Sequence, residues 1–172
     1  MLAWAHRALL KIYQRLPRQL RRWVVRRITP SFTVGAACII ERDDGAVLLV
    51  RQVYRRGWGM PGGLTRRREP VADTARREVL EEIGLRVELV GRPAVVVDPD
   101  PRRVDIVFRA RPAPDADPAS ARPTSPEIAE VRWFAPDDLP DMQHETVGAI
   151  EALGGVTQIS PSGSQREVPG RN

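Results

Sequence analysis

The sequence predicts an α+β fold in which short strands and a few helices share one core. Two observations lead to this prediction. Several short apolar runs are separated by turn-forming residues, and the segment Pro70 to Ile83 has the spacing of an amphipathic helix. With 172 residues, the chain has room for one domain plus extra segments, but not for a second domain of similar size. We expect the domain to occupy residues 31–153.

The strand predictions begin with Thr33 to Glu41 and Ala46 to Gln52, which flank an Asp44-Gly45 turn signal and are expected to pair antiparallel. The helix after them starts at Pro70 and is followed by Gly84, a residue suited to ending a helix. Further strands are predicted over residues 86–90, 94–97, 104–110 and 130–134, and a second helix over residues 142–153. Residues 112–126 form either a plain linker or a lid over a site. Residues 154–172 are predicted to be a disordered tail.

The N-terminal segment, residues 1–30, is a basic amphipathic extension. It contains eight Arg and Lys residues and no acid. Because the net charge of the whole chain is +5, the rest of the chain has a net charge of −3. Apolar residues recur at helical spacing from Leu9 to Ile28, Pro17 should kink or split the helix, and Thr29-Pro30 should end it. Three interpretations stay open: a helix packed on its own domain or on a second copy, a membrane-surface anchor, or a targeting or nucleic-acid arm. Nucleic acid is the least favoured partner.

The composition and the cysteine content describe an ordinary globular protein. Apolar residues make up 42% and charged residues 28% of the chain, and no stretch of about twenty uncharged apolar residues exists to span a bilayer. Cys38 is the sole cysteine, so neither an intramolecular disulfide nor a zinc-binding thiol cluster can form. Because it lies in an apolar strand-like run, we expect it to pack in the core. A cytoplasmic location is predicted, at the membrane surface if the extension is an anchor.

Three carboxylates are predicted to share one face of the helix from Pro70 to Ile83. Glu78 and Glu82 are four residues apart, and Glu81 is three beyond Glu78. Two such charges about 6 Å apart repel by roughly 3 kcal/mol at an effective dielectric of about 20. A solvated acidic face would explain three glutamates alone, whereas a bound divalent cation would turn the repulsion into attraction. Oxygen ligands of this kind suit Mg²⁺ or Mn²⁺.

The segment before this helix adds context that favours the metal interpretation. Trp58-Gly59-Met60-Pro61-Gly62-Gly63 contains paired glycines, which allow the backbone to approach a ligand closely. From Gly63 the chain continues with Glu69, then Arg77-Glu78, Glu81-Glu82 and Gly84-Leu85, at spacings that resemble a complete Nudix box. The chain is therefore similar to Nudix hydrolases over about residues 33–153, and the extension lies outside the resemblance.

The resemblance implies both a fold and a set of site residues. The fold would be an α/β/α sandwich around a mixed β-sheet. The metal ligands would be Glu78, Glu81, Glu82 and the carbonyl of Gly63, with Glu69 reaching a second metal through water. Arg77 would pair with Glu69 and support the loop. A metal-activated water would attack phosphorus, with Glu81 or Glu82 as the first choice of general base and Glu127 as an outside candidate.

The implied reaction is hydrolysis of the diphosphate linkage of a nucleotide-like substrate, such as a nucleoside triphosphate, ADP-ribose or a sugar nucleotide. Arg51, Arg55 and Arg56 could contact its phosphates or simply be surface residues. Trp58 could stack on a base or pack beneath the turn. Two other functions are weighed against hydrolysis: a non-catalytic nucleotide sensor, which the intact glutamates disfavour, and diphosphate isomerisation, whose catalytic Cys follows a different pattern from Cys38.

Overall fold

The computed structural model describes residues 13–29, 31–100 and 102–155 of the chain. In this part of the chain, six strands form one mixed sheet with the order β4-β5-β1-β2-β6, and β3 pairs with β1 beside β2. The strands are β1 (Thr33–Glu41), β2 (Val47–Gln52), β3 (Gly62–Leu64), β4 (Val87–Asp98), β5 (Arg103–Pro112) and β6 (Ile128–Phe134). The helices are α1 (Arg18–Ile28), α2 (Val71–Ile83) and α3 (His144–Ala152), with a short 3-10 helix at Pro118–Ser120.

Strand β1 lies at the centre of the sheet and is buried on both faces from Gly35 onward. It pairs in parallel with β5 and antiparallel with β2 and β3. Because successive side chains of a strand point to opposite faces, Cys38 and Ile40 pack towards α2, whereas Ile39 packs towards α3. Helices therefore cover both faces, and the predicted α/β/α sandwich around a mixed sheet is confirmed.

Cys38 is fully buried in this core, as expected from its apolar run. Burial raises the pKa of its thiol to about 12, so the thiol is protonated and unreactive at neutral pH. The predicted hairpin is also present. Gly45 has a φ of 82°, a left-handed conformation that glycine adopts readily, and Ile40 pairs antiparallel with Leu48.

Helix α2 packs on the sheet through one apolar face, which contains Ala75, Val79 and Ile83. Pro70 precedes its first turn, and Gly84 ends it with a φ of 69°. The helix therefore has the predicted bounds to within one residue. Glu78 and Glu82 lie beside this apolar face, next to β3, and Glu82 is itself buried.

The structure corrects the prediction of two separate strands at residues 86–90 and 94–97. They are parts of one strand, β4, whose pairing with β5 is irregular between Val90 and Ala94. The sequence Gly91-Arg92-Pro93 resembles a break between strands, but it forms a bulge inside one strand, with Gly91 at a φ of 68°.

The segment from residue 112 to 126 lies against the end of α2, and none of its residues is among those that line the cavity described below, which favours a linker over a lid. Thr124 donates its backbone N–H to the carbonyl of Glu82 and its hydroxyl to the carbonyl of Glu81, both at 2.9 Å. These carbonyls are among those that a helix leaves without partners at its last turn. The segment therefore caps the helix that carries the glutamates.

The N-terminal extension breaks at Pro17, as predicted: residues 13–15 are helical, and α1 starts at Arg18. Helix α1 ends at Ile28, with Thr29 as its cap. In the described ranges, no helix is long and apolar enough to cross a membrane. From residue 156 onward, the predicted disordered tail lies outside the described residues.

Candidate active site

A cavity of about 950 Å³ opens between α2, β3 and the ends of β4 and β5. One wall carries Glu78, Glu81 and Glu82 from α2. The facing walls contain the following residues: Gln52, Tyr54, Arg55, Asp98, Arg103, Asp105, Glu127 and Gln143. The lining is thus rich in charged and amide groups, with apolar contributions from Ala37, Met60 and Val96. A cavity of this size accommodates a nucleotide-sized ligand.

At both glycine positions of β3, a residue with a side chain would collide with neighbouring atoms. A Cβ atom on Gly62 would lie 2.5 Å from the Cβ of Ala37, and one on Gly63 would lie 2.5 Å from the carboxylate carbon of Glu78. Real Cβ atoms do not approach other heavy atoms so closely. Glycine at position 62 therefore lets β3 lie close against β1, and glycine at position 63 lets the β3 backbone lie directly against Glu78 of α2.

The glutamates of α2 differ in burial. Glu82 is 7% exposed and accepts a hydrogen bond from the backbone N–H of Gly62 at 3.0 Å. The side chain of Glu78 is 15% exposed, whereas that of Glu81 is 48% exposed and faces the cavity mouth. The helix therefore presents a graded row of carboxylates, with Glu82 the most enclosed.

Burial and neighbouring charges raise the pKa of Glu82 to about 7. Removal from water is the main cause, and the negative charges of Glu78, Glu127 and Glu81 add to it, while the bond from Gly62 opposes it. A carboxyl group with a pKa near neutrality exchanges protons readily under physiological conditions. Such a group suits general acid–base catalysis.

Arg77 connects three acidic side chains. Its guanidinium donates to both oxygens of Glu69, at 2.7 and 2.9 Å, to Glu78 at 2.7 Å and to Glu81 at 3.0 Å. The expected pairing of Arg77 with Glu69 is thus present. These bonds hold the pKa of Glu69 at about 2, and they raise the pKa of Arg77 above its ordinary value. Glu69 also accepts hydrogen bonds from the backbone of Arg66 and the hydroxyl of Thr74.

Among the residues expected to contact substrate, Arg55 and Glu127 line the cavity. Arg55 forms a salt bridge with Glu145, and Glu127 accepts a hydrogen bond from the hydroxyl of Tyr54 at 3.2 Å. Burial first and the charge of Glu127 second raise the pKa of Tyr54, so its hydroxyl remains a donor. Glu127 therefore lies in the cavity rather than at an unrelated strand edge.

Three other expected contact residues do not line the cavity: Arg51, Arg56 and Trp58. Arg51 forms a salt bridge with Glu130 on β6, and Arg56 is exposed. Trp58 packs edge-on against Phe134, with 4.8 Å between ring centres, in the core beneath α3. Of the two interpretations of Trp58, packing beneath the turn fits this position.

The structure also brings in residues that the sequence did not single out. Asp105 is buried on β5, forms a salt bridge with Arg103 and lies so close to Gly35 that a Cβ there would be 2.1 Å from its carboxylate. Arg66 bonds both oxygens of Glu81 at 3.2 Å. The parallel pairing of β1 with β5 brings Asp105 to the site, and no local pattern signals it. Arg66 belongs to a run of three arginines, a pattern that is typical of an exposed surface segment.

The donors at this site fit a divalent metal by their chemistry. Burial first and the neighbouring carboxylates second raise the pKa of Glu82, and a cation placed among these carboxylates would relieve their repulsion. Gly63 lies against Glu78 with no side chain between them. Within the described residues, no group of three acidic, His or Cys side chains is arranged so that it could already hold a metal ion. Glu78 and Glu81 both accept hydrogen bonds from Arg77.

Comparison with known proteins identifies the class to which this fold and site belong. The family model for the NUDIX domain matches residues 31–152. The chain belongs to the Nudix hydrolase family. A MutT-like protein from Streptomyces ambofaciens is 30% identical over 128 residues, which cover 73% of this chain and 80% of the relative.

Two further similarities support the assignment to this family. A CMP-5'-(N-acetyl-N-hydroxy-3-aminopropyl)phosphonate hydrolase from Streptomyces rubellomurinus is 32% identical over 143 residues, 79% of this chain and 68% of the relative. The crystal structure of a NUDIX hydrolase from Nitrosomonas europaea superposes with a TM-score of 0.63 at 30% identity, covering 72% of this chain and 70% of that one.

Proposed function

We propose that the protein hydrolyses the diphosphate linkage of a nucleoside diphosphate derivative, with a divalent metal, Mg²⁺ or Mn²⁺, at the α2 glutamates. The observation that supports this most is the buried Glu82, with a pKa of about 7, beside Glu78 and the glycine backbone of β3. Nucleoside triphosphates, ADP-ribose and sugar nucleotides are the candidate substrates. The similarity to a hydrolase of a CMP-linked phosphonate supports a nucleotide-linked substrate.

In this proposal, Glu78, Glu81, Glu82 and the Gly63 carbonyl would hold the metal, and Glu69 would reach a second ion through water. The bound metal would neutralise diphosphate charge and make a coordinated water easier to deprotonate. Glu81 or Glu82 is the first choice to accept the proton of that water, and Glu127 is the outside candidate, since all three line the cavity.

The bonds made and broken follow from this arrangement. The water oxygen forms a bond to phosphorus, the bridging P–O bond breaks, and the leaving phosphate keeps the electron pair. Arg55 lines the cavity, and in this proposal it would pair with a substrate phosphate. Arg77 supports the site indirectly, since its bonds to Glu69 and Glu78 fix how the loop lies on the helix.

The direct test is hydrolysis of a panel of nucleoside triphosphates, ADP-ribose and sugar nucleotides, with Mg²⁺, with Mn²⁺ and with a chelator. We expect selective, metal-dependent turnover that Glu82→Gln lowers by about 10²- to 10⁴-fold. Glu88→Gln is the matched control, because Glu88 is an exposed β4 residue paired with Arg111, away from the cavity. Nucleotide binding without turnover across the panel would instead support a non-catalytic sensor.

A further inference from the structure

Helix α1 presents apolar side chains that the rest of the described structure leaves uncovered. Leu20 is 41% exposed, Trp23 is 56% exposed and Ile28 is 75% exposed. At 100° per residue, these three side chains project from one side of the helix. Over residues 13–29, 31–100 and 102–155, α1 forms no extended packing interface with another helix or strand. A stripe of this kind marks a surface that binds something else.

The charge of the same helix restricts what that partner can be. Five of its eleven residues are Arg, and none is acidic. Arg18 and Arg22 lie on the side away from the stripe, while Arg27 lies on the apolar side with its guanidinium 5.5 Å from the ring centre of Trp23. The long stem of such an arginine can extend along apolar surface while its charge reaches a polar layer. The partner must therefore offer both apolar volume and negative charge.

An anionic lipid surface offers both at once. The acyl region takes Trp23 and Ile28, while the headgroup phosphates lie where the arginines project. A second copy of α1 would cover the stripe but would bring further arginines together without an acid to neutralise them. Nucleic acid would satisfy the arginines but leave the stripe in water.

We propose that α1 binds anionic membrane surfaces, lying in the plane of the interface with Leu20, Trp23 and Ile28 in the lipid. Residues 1–12 match this role in composition, since they include Arg7, Lys11 and Trp4 and no acid. The site on α2 then remains in the aqueous phase next to the membrane. This inference does not depend on the proposed hydrolysis.

The test is flotation of the full chain with vesicles of phosphatidylcholine, with and without phosphatidylglycerol. We expect binding only to the anionic vesicles, weakened by salt, and reduced at least about tenfold in the double variant Trp23→Ser, Ile28→Ser. The control is Val53→Ser, Val95→Ser, which removes two side chains that are 62% and 61% exposed outside the helix. This control should bind like the unchanged protein.

Several results would overturn the proposal. One is equal vesicle binding by the two double variants, and another is binding that ignores the anionic lipid. A third is absence of vesicle binding together with a dimer, seen by analytical ultracentrifugation, that the Trp23→Ser, Ile28→Ser variant loses. That result would assign the stripe to a second copy of the chain. Binding to duplex DNA but not to vesicles would assign the arginines to nucleic acid.

Discussion

At the scale of single residues, the electrostatics of Glu82 link stability to pH. Its pKa is raised from 4.5 to about 7 in the folded protein, so folding favours its protonated form. Below about pH 4.5 both folded and unfolded states hold the proton, and the contribution to stability is fully present. As the pH rises through 7, that contribution is lost, and the ionised carboxylate destabilises the fold by about 2 to 3 kcal/mol.

Glu82→Gln should therefore stabilise the metal-free protein at high pH. We expect its free energy of unfolding to match that of the unchanged chain near about pH 4 and to exceed it by about 2 kcal/mol near about pH 8. Urea unfolding in the presence of a chelator, across this pH range, measures the difference. Glu88→Gln should show no such trend, because Glu88 is exposed. Parallel pH profiles for Glu82→Gln and the unchanged chain would contradict the assigned pKa.

A substitution of Arg77 tests whether the acidic side chains around it need a planar, bidentate partner. Lysine keeps the charge but cannot donate to both oxygens of Glu69 while also bonding Glu78. We expect Arg77→Lys to lower kcat/KM by about 10- to 100-fold. Arg76→Lys is the matched control, since the neighbouring Arg76 is exposed and pairs only with Asp73 and the carbonyl of Ala72 among the contacts described. Similar kinetics for the two variants would refute the supporting role of Arg77.

At the scale of elements, two features stabilise the C-terminal end of α2. Gly84 ends the helix in a left-handed conformation, and Thr124, from a segment forty residues later, bonds the last carbonyls. The first of these features could be predicted, because glycine after a periodic run is a local signal. The second could not, because nothing in a loop rich in Pro, Ala and Asp indicates which helix end it reaches.

Removing the Thr124 hydroxyl should loosen the end of α2. Thr124→Val keeps the side-chain shape but loses the bond to the carbonyl of Glu81, and we expect a loss of about 0.5 to 1 kcal/mol of stability. Amide hydrogen exchange should become faster in the last turn of α2. Ser120→Ala removes a comparable hydroxyl bond, to the carbonyl of Asp117, without contacting α2. Faster exchange in both variants, or in neither, would argue against a specific cap.

The β4 and β5 strands show the other limit of prediction at this scale. Short apolar runs predicted both strands, yet the bulge at Gly91 made β4 look like two elements. Asp105 became a cavity residue only through the parallel pairing of β5 with β1. Pairing between strands that are distant in sequence has no local signature. Site residues that such strands contribute therefore cannot be found from local sequence motifs.

At the scale of the whole molecule, the box from Gly63 to Leu85 allowed most of the fold and the glutamate wall to be predicted. Its chemistry is local, because one loop and one helix carry it. The opposite wall is not local: Tyr54, Arg103 and Gln143 come from three separate parts of the chain. No local pattern brings these residues together, so the reaction class could be predicted from the sequence while the substrate could not.

We propose that water attacks phosphorus at a metal that the α2 glutamates would hold. The most direct measurement is hydrolysis in ¹⁸O-labelled water, with Mn²⁺ and the candidate substrates, and mass spectrometry of the products. We expect one labelled oxygen in a phosphate-containing product, with product formation abolished by a chelator and strongly reduced in Glu82→Gln. Unlabelled phosphates, turnover without metal, or full activity in Glu82→Gln would contradict this reaction.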